Sequence, residues 1–226
     1  MVNLVNRDTA GSRAYAHVPI VRWRKAQASH AGRPPLLILL HGRGADEHDL
    51  FSLADGIDPR FAVASIRGPL TTDEGGFTWC ESRSPGRYIA ESLRASLSWV
   101  QSWLGSLSAG RPDSQDVYLL GFSAGMAMAG ALVLDEPDRY AGAVLLSGTL
   151  PFDTDLPIAN GRLAGVRVFY GHGSFDTVIP ADLVSRTAKY LGENSGARLE
   201  ARAYPIAHEI SDAELRDVNL WLQGER

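Results

Sequence analysis

The chain has 226 residues, 45% of them apolar and 21% charged, which suits one substantial core and is short for two full domains. A formal net charge of −4, with no run of like charges, gives no electrostatic footprint for DNA, RNA or an anionic membrane surface. The single cysteine, Cys80, excludes an intrachain disulfide, which agrees with a reducing compartment.

The opening stretch MVNLVNRDTAGSRAYAH lacks the continuous apolar core of a signal peptide, and no run reaches the length of a membrane span. A cytoplasmic protein without membrane insertion and without a nucleic-acid partner is therefore expected. Residues 14–18 and 20–25 are short, β-leaning and separated by Pro19, as edge strands would be. After a polar linker ending at Pro35, Leu36–Leu40 is apolar at every position, the pattern of a strand covered on both faces. It stops at His41-Gly42-Arg43-Gly44. The same rhythm recurs at 61–66, 117–121, 140–146, 166–170 and 199–204.

Helical patterns lie between these strands. Within 88–107, Ile89, Leu93, Leu97, Val100 and Leu104 form one apolar stripe. Further helices are predicted at 124–134, at 181–191 just after Pro180, and at 212–222 with Ser211 as N-cap. The alternation predicts an α/β fold in a single domain, residues 1–226, with a mainly parallel central sheet and helices on both faces. Functional groups in such folds collect at the carboxyl ends of strands, and the long loops 67–87 and 148–164 would shape a pocket there.

Gly121-Phe122-Ser123-Ala124-Gly125 has the form G-x-S-x-G and sits between the strand-like VYLL and a small-residue helical segment. That is the strand–turn–helix setting of the nucleophile elbow of α/β-hydrolases, in which glycines leave room for the turn that exposes the serine. A serine hydroxyl needs a base, and in the chain order of this fold the base follows both the serine and the acid. The order sets aside His17, His30, His41 and His48 and leaves His172 and His208. His172 precedes any suitable acid in its own loop, whereas His208 follows the last strand and precedes the last helix, so His208 is taken as the base. Asp176, after the penultimate strand, is the acid expected to orient the imidazole. Asp153 and Asp155 are its competitors; Gly171 and Gly173 favour Asp176 by allowing a tight turn behind it.

An oxyanion needs backbone donors. Ala124 N–H, next to the nucleophile, supplies one, and the glycine-rich loop after Leu36–Leu40 supplies the other, with Arg43 the choice and Gly44 the fallback. His41 is expected to brace that loop. The stretch with His41, Asp46, Glu47, His48 and Asp49 reads as a solvated helix start with acids near the N-terminal dipole, so no metal is expected. Cys80 has no neighbour in sequence that would stabilise a thiolate.

Taken together, LLILLHGRGADEHDL, VYLLGFSAG, GHGSFDTVIP and AYPIAHEI resemble, over nearly the whole chain, the phospholipase/carboxylesterase family of α/β-hydrolases, which includes bacterial carboxylesterases and acyl-protein thioesterases. The resemblance implies Ser123, Asp176 and His208 as a triad, Arg43 and Ala124 as the oxyanion hole, and a fold without a separate cap domain or a cofactor. Two departures stand out: Ala124 replaces the glutamine that many members carry after the nucleophile, and Cys80-Glu81 follow Trp79 where the family tends to show an aromatic and an acid. The expected activity is a serine carboxylesterase acting on small to medium acyl or aryl esters, with a small-molecule ester as partner. Thioesterase, lysophospholipase and acyltransferase chemistry on the same triad, or a non-hydrolytic binding or sensor protein on the same scaffold, are the alternatives, and a homodimer stays open. Leu70, Phe77, Trp79, Leu150, Phe152, Val178 and Ile179 are the apolar loop residues expected near the substrate.

Overall fold

The structure, a computed structural model, describes residues 5–7, 13–15, 18–28, 32–109 and 115–224. His17 and His30 lie outside the described residues. Among those described, seven strands build the central sheet: β1 (Val21–Arg24), β2 (Leu36–Leu40), β3 (Ala62–Ile66), β4 (Val117–Phe122), β5 (Gly142–Leu146), β6 (Arg167–Gly173) and β7 (Arg198–Tyr204). Their spatial order is β7-β6-β5-β4-β2-β3-β1. Every neighbouring pair is parallel except β1, which runs antiparallel to β3 at the edge.

The uniformly apolar β2 is buried along its whole length because side chains leave it towards two separate cores. Leu36, Ile38 and Leu40 join Leu119, Leu145 and Tyr170 under helices α1 (Ala90–Ser108) and α2 (Ala124–Asp135). Leu37 and Leu39 join Val63, Leu120, Val144 and Phe169 on the opposite face. That face is covered by Leu50 and Ala54 of a 3₁₀ turn (Leu50–Gly56) and by Val218, Trp221 and Leu222 of α4 (Asp212–Gln223). Helices on both faces of a mainly parallel sheet are thus the observed architecture. Helix α3 (Ala181–Lys189) enters after Pro180, as read from the sequence, and Ser211 caps α4 by accepting a hydrogen bond from Glu214 N–H at 3.2 Å.

Four elements differ from their expected bounds. Residues 20–25 contain the edge strand β1, but Arg13–Tyr15 pairs with Val5–Arg7 in a separate two-stranded ribbon. Helix α1 begins at Ala90 because Tyr88 is taken by a hairpin between Ser82–Ser84 and Arg87–Tyr88. Helix α3 gives way after Lys189 to a wider π turn, Tyr190–Asn194, around Gly192. Strand β6 runs three residues past its expected end, with Gly171, His172 and Gly173 in register with Arg202, Ala203 and Tyr204 of β7.

The longer β6 corrects the reading of its glycines. Neither Gly171 nor Gly173 makes a turn; both are strand residues without positive φ whose side-chain space is already occupied. A Cβ at Gly171 would collide with the carboxyl of Glu214, and one at Gly173 with the carbonyls of Ile206 and Ala207. No helix among the described residues is long and apolar enough to cross a membrane.

Candidate active site

Parallel pairing sets the carboxyl ends of β4, β2 and β5 side by side, with Gly121 in register with both Leu40 and Leu145. Ser123 follows directly on β4 and holds φ 55°, ψ −117°, a conformation that costs a residue with a Cβ roughly 1–3 kcal/mol. Its backbone is fixed on both sides: Ser123 N–H donates to Leu146 O at 3.0 Å, and Ser123 O accepts from Met126 N–H at 3.0 Å. The two motif glycines are there for closeness. A Cβ at Gly121 would overlap Gly125 O and stand 2.7 Å from Met126 N; one at Gly125 would overlap Leu40 O and stand 2.7 Å from His41 O. Gly125 therefore presses the first turn of α2 onto the end of β2.

His208 lies in the loop between β7 and α4, and its Nε2 is 2.9 Å from Ser123 Oγ. Its Nδ1 is 2.8 Å from Asp176 Oδ2, in the loop between β6 and α3. The other carboxylate oxygen, Oδ1, accepts from Val178 N–H at 2.8 Å and Ile179 N–H at 3.2 Å, so Asp176 is held from both sides. Nδ1–H donating to Asp176 leaves the Nε2 lone pair facing the serine hydroxyl. The Phe122 ring packs at 4.9 Å against the imidazole. Three side chains from three strand ends thus form one hydrogen-bonded series in which a proton can leave the hydroxyl and the resulting imidazolium meets a carboxylate.

The competitors are engaged elsewhere. Asp153 pairs with Arg87 at 2.7 Å, and Asp155 with Arg94 at 2.7 Å. His172 stacks on Tyr170 at 5.4 Å with its Nδ1 buried and unpartnered, and burial lowers its pKa.

The loop after β2 faces the serine. Arg43 lines the same cavity as Ser123 and Ala124, while Gly44 N–H donates to Phe77 O at 2.8 Å and is thereby occupied. His41 is fully buried; its Nε2 accepts from Gly68 N–H at 2.9 Å and its Nδ1–H donates to Gly42 O at 2.7 Å. Burial lowers its pKa, so the ring is a neutral tie between the two loops. The Trp79 indole N–H donates to His41 O at 2.7 Å, and its ring packs 5.1 Å from the imidazole.

The cavity over Ser123 measures about 290 Å³, and its lining includes Val178, Ile179 and residues 82–86. Five residues expected at the substrate are absent from its lining. Trp79 is fully buried beneath the His41 loop, Leu70 pairs with Thr78 in a hairpin, and Phe77 lies under the Arg67 guanidinium at 4.5 Å. Phe152 packs on Arg186 at 4.1 Å, and Leu150 is a core residue. The wall formed by Ser82, Arg83, Ser84, Pro85 and Gly86 belongs to the long loop 67–87 expected to shape the pocket, but none of these residues stands out in the sequence because a polar segment carries no pocket signal of its own; Pro85-Gly86 is its one cue, as a turn. Cys80 also borders the cavity, but burial pushes its pKa up to about 12, which leaves it a thiol.

Asp46, Glu47 and His48 do bring one possible ligand atom each within 4.8 Å of one another. Glu47, however, is not the solvated acid expected from sequence. It is buried in a two-pronged ion pair with Arg67 at 2.5 and 2.7 Å, and His48 Nδ1 sits 3.3 Å from Asp46.

The phospholipase/carboxylesterase family model matches residues 25–224. The chain belongs to that family. It is a family of carboxylesterase- and thioesterase-type hydrolases on the α/β-hydrolase fold. Acyl-protein thioesterase 1 of Debaryomyces hansenii is 32% identical over 203 residues, covering 80% of this chain and 87% of that protein. A putative hydrolase, MhqD, of Bacillus subtilis is 26% identical over 188 residues, covering 82% and 91%. The crystal structure of the Bacillus cereus carboxylesterase superposes with a TM-score of 0.80 at 24% identity, covering 93% and 96%, and shares the fold.

Proposed function

We propose that the protein is a serine carboxylesterase that cleaves small to medium acyl or aryl esters through an acyl-enzyme on Ser123. The observation that carries this is the unbroken series from Ser123 Oγ through His208 to Asp176, at 2.9 and 2.8 Å. Ser123 Oγ attacks the ester carbonyl while His208 Nε2 takes its proton; Asp176 holds the ring and balances the imidazolium. The carbonyl oxygen becomes an oxyanion between the N–H groups of Arg43 and Ala124, where the N-terminal end of α2 adds a favourable dipole. The imidazolium protonates the departing alcohol. Water, deprotonated by the same imidazole, then releases the acid and restores the serine.

A cavity of about 290 Å³ suits a short acyl or aryl group rather than a long chain. Thioester cleavage is the second reading, favoured by the 32% identity to an acyl-protein thioesterase; the same attack expels a thiol in place of an alcohol.

Three measurements test the proposal: labelling by a fluorophosphonate, a burst of 4-nitrophenol from short 4-nitrophenyl esters, and rates with matched thioesters. Labelling and burst that vanish in Ser123→Ala are expected. A folded protein that neither labels nor turns over any ester would be a binding protein on a hydrolase scaffold, and faster cleavage of every thioester than of its oxygen ester would move the assignment to a thioesterase.

A further inference from the structure

Among the described residues, the charged ones lining the cavity with Ser123 are two arginines, Arg43 and Arg83, and no aspartate or glutamate lines it. In a chain with 26 acidic and 22 basic residues, this local excess of positive charge is not background. Other arginines close by in sequence are matched by acids: Arg67 by Glu47 at 2.5 Å, Arg87 by Asp153 at 2.7 Å and Asp182 at 3.2 Å, and Arg94 by Asp155 at 2.7 Å. Arg43 shares an exposed, long pair with Glu74 at 3.4 Å. Arg83 makes no ion pair among the described residues and stays exposed at the cavity wall.

Its backbone is nevertheless held. Strand Ser82–Ser84 pairs with Arg87–Tyr88, and the turn is closed at Gly86 with φ 76°. Gly86 packs so closely on α3 and on the segment after β5 that a Cβ there would stand 2.5 Å from Leu183 Cδ1 and 2.8 Å from Thr149 Cγ2. Arg87, in the same hairpin, is tied to Asp182 of α3 and to Asp153. A guanidinium with unspent donors on an anchored segment beside a nucleophile is suited to a planar or tetrahedral oxyanion, because its N–H fork matches both.

We propose that Arg83 is a specificity determinant that selects esters bearing a second, anionic group, a carboxylate or a phosphate, within a few bonds of the scissile carbonyl. The proposal rests on the serine-esterase reading of Ser123. An exposed guanidinium is screened by water and salt, so the expected effect is a selectivity of roughly tenfold rather than an absolute requirement.

The test compares kcat/KM within matched pairs. 4-Nitrophenyl hydrogen glutarate against 4-nitrophenyl pentanoate places a carboxylate on the acyl side; 1-butanoylglycerol 3-phosphate against 1-butanoylglycerol places a phosphate on the alcohol side. In the wild type at least one anionic member is expected to be preferred roughly tenfold, and the pair that shows it identifies the anion. The preference is expected to shrink as salt rises, to vanish in Arg83→Gln and to reverse in Arg83→Glu. Because each ratio is taken within one protein, a partly folded variant lowers both members and leaves the ratio meaningful. Wild-type ratios near one in both pairs, or a preference that survives Arg83→Gln, would overturn the proposal while cleavage of the neutral esters leaves the esterase reading standing. Failure of the wild type to cleave any of the four would sink both together.

Discussion

Gly171 on β6 leaves its side-chain space to the carboxyl group of Glu214 on α4. That carboxyl is fully buried, and neither oxygen meets a hydrogen-bond donor among the described residues. Burial, reinforced by the nearby Asp217, pushes its pKa up to about 7 against an ordinary value of 4.5. The folded chain therefore holds a proton that the unfolded chain has lost between these two values, and stability falls as pH rises through that window. Glu214→Gln, which keeps the shape and removes the charge, is expected to raise stability at pH 8 by about 2–3 kcal/mol and to change it little at pH 4. Urea unfolding at the two pH values measures this; an equal effect at both would refute the buried-acid account.

His41 acts in the opposite direction. Its ring is buried and neutral, and so is that of His172 to a lesser degree, with burial lowering both pKa values. The unfolded chain then binds protons that the folded chain refuses once pH drops below about 6.5, so these groups make stability fall towards acid. In the wild type this loss is offset in part by Glu214 between pH 4.5 and 6.5. Glu214→Gln should consequently show a steeper acid loss than the wild type.

Removal of the His41 ring has a second effect, since Gly68 N–H loses its acceptor and the Arg43 loop loses its tie. His41→Ala is expected to cost about 2–4 kcal/mol and to lower kcat by roughly tenfold or more, although the ring touches neither Ser123 nor substrate. Unchanged kcat in the folded fraction would mean that the loop holds its shape without the ring.

What the sequence revealed and what it hid follow from how local each signal is. LLILL announces a strand buried on both faces because the pattern is contained in five consecutive residues, and Ser123, Asp176 and His208 can be located because each follows its own strand. The jobs of Gly171, Trp79 and Glu47 depend on partners distant in the chain, namely Glu214, His41 and Arg67, and no spacing rule links them. Trp79 illustrates the difficulty: an aromatic residue on a loop beside a strand end reads equally as pocket or as brace until its direction is known. The Arg83 wall was hidden for the opposite reason, since Ser-Arg-Ser-Pro-Gly looks like any solvated turn.

The elbow predicts opposite responses at neighbouring positions. Ser123 pays for its φ of 55°, so Ser123→Gly should abolish ester turnover and yet stabilise the fold by about 1 kcal/mol. Gly125→Ala instead drives a methyl into Leu40 O and His41 O, and should cost about 2–4 kcal/mol along with activity. Thermal denaturation of the two variants beside the wild type gives the comparison; a destabilised Ser123→Gly would mean that the serine conformation is not strained.

Asp176 and Asp153 separate function from structure most cleanly. At Asp176 the carboxylate both accepts Nδ1–H of His208 and binds two backbone N–H groups. An asparagine can keep the backbone contacts through its oxygen but then turns an N–H₂ donor towards Nδ1, which favours the tautomer with its proton on Nε2, facing the serine. Asp176→Asn is therefore expected to keep the fold and lower kcat by about 10²- to 10⁴-fold. Asp153 only pairs with Arg87 and Arg186 at the surface, so Asp153→Asn should change kcat by less than about threefold. Steady-state rates on one short ester decide between them: if Asp153→Asn proved the damaging change and Asp176→Asn the harmless one, the orienting carboxylate would have to be sought among the residues near the Arg87 hairpin.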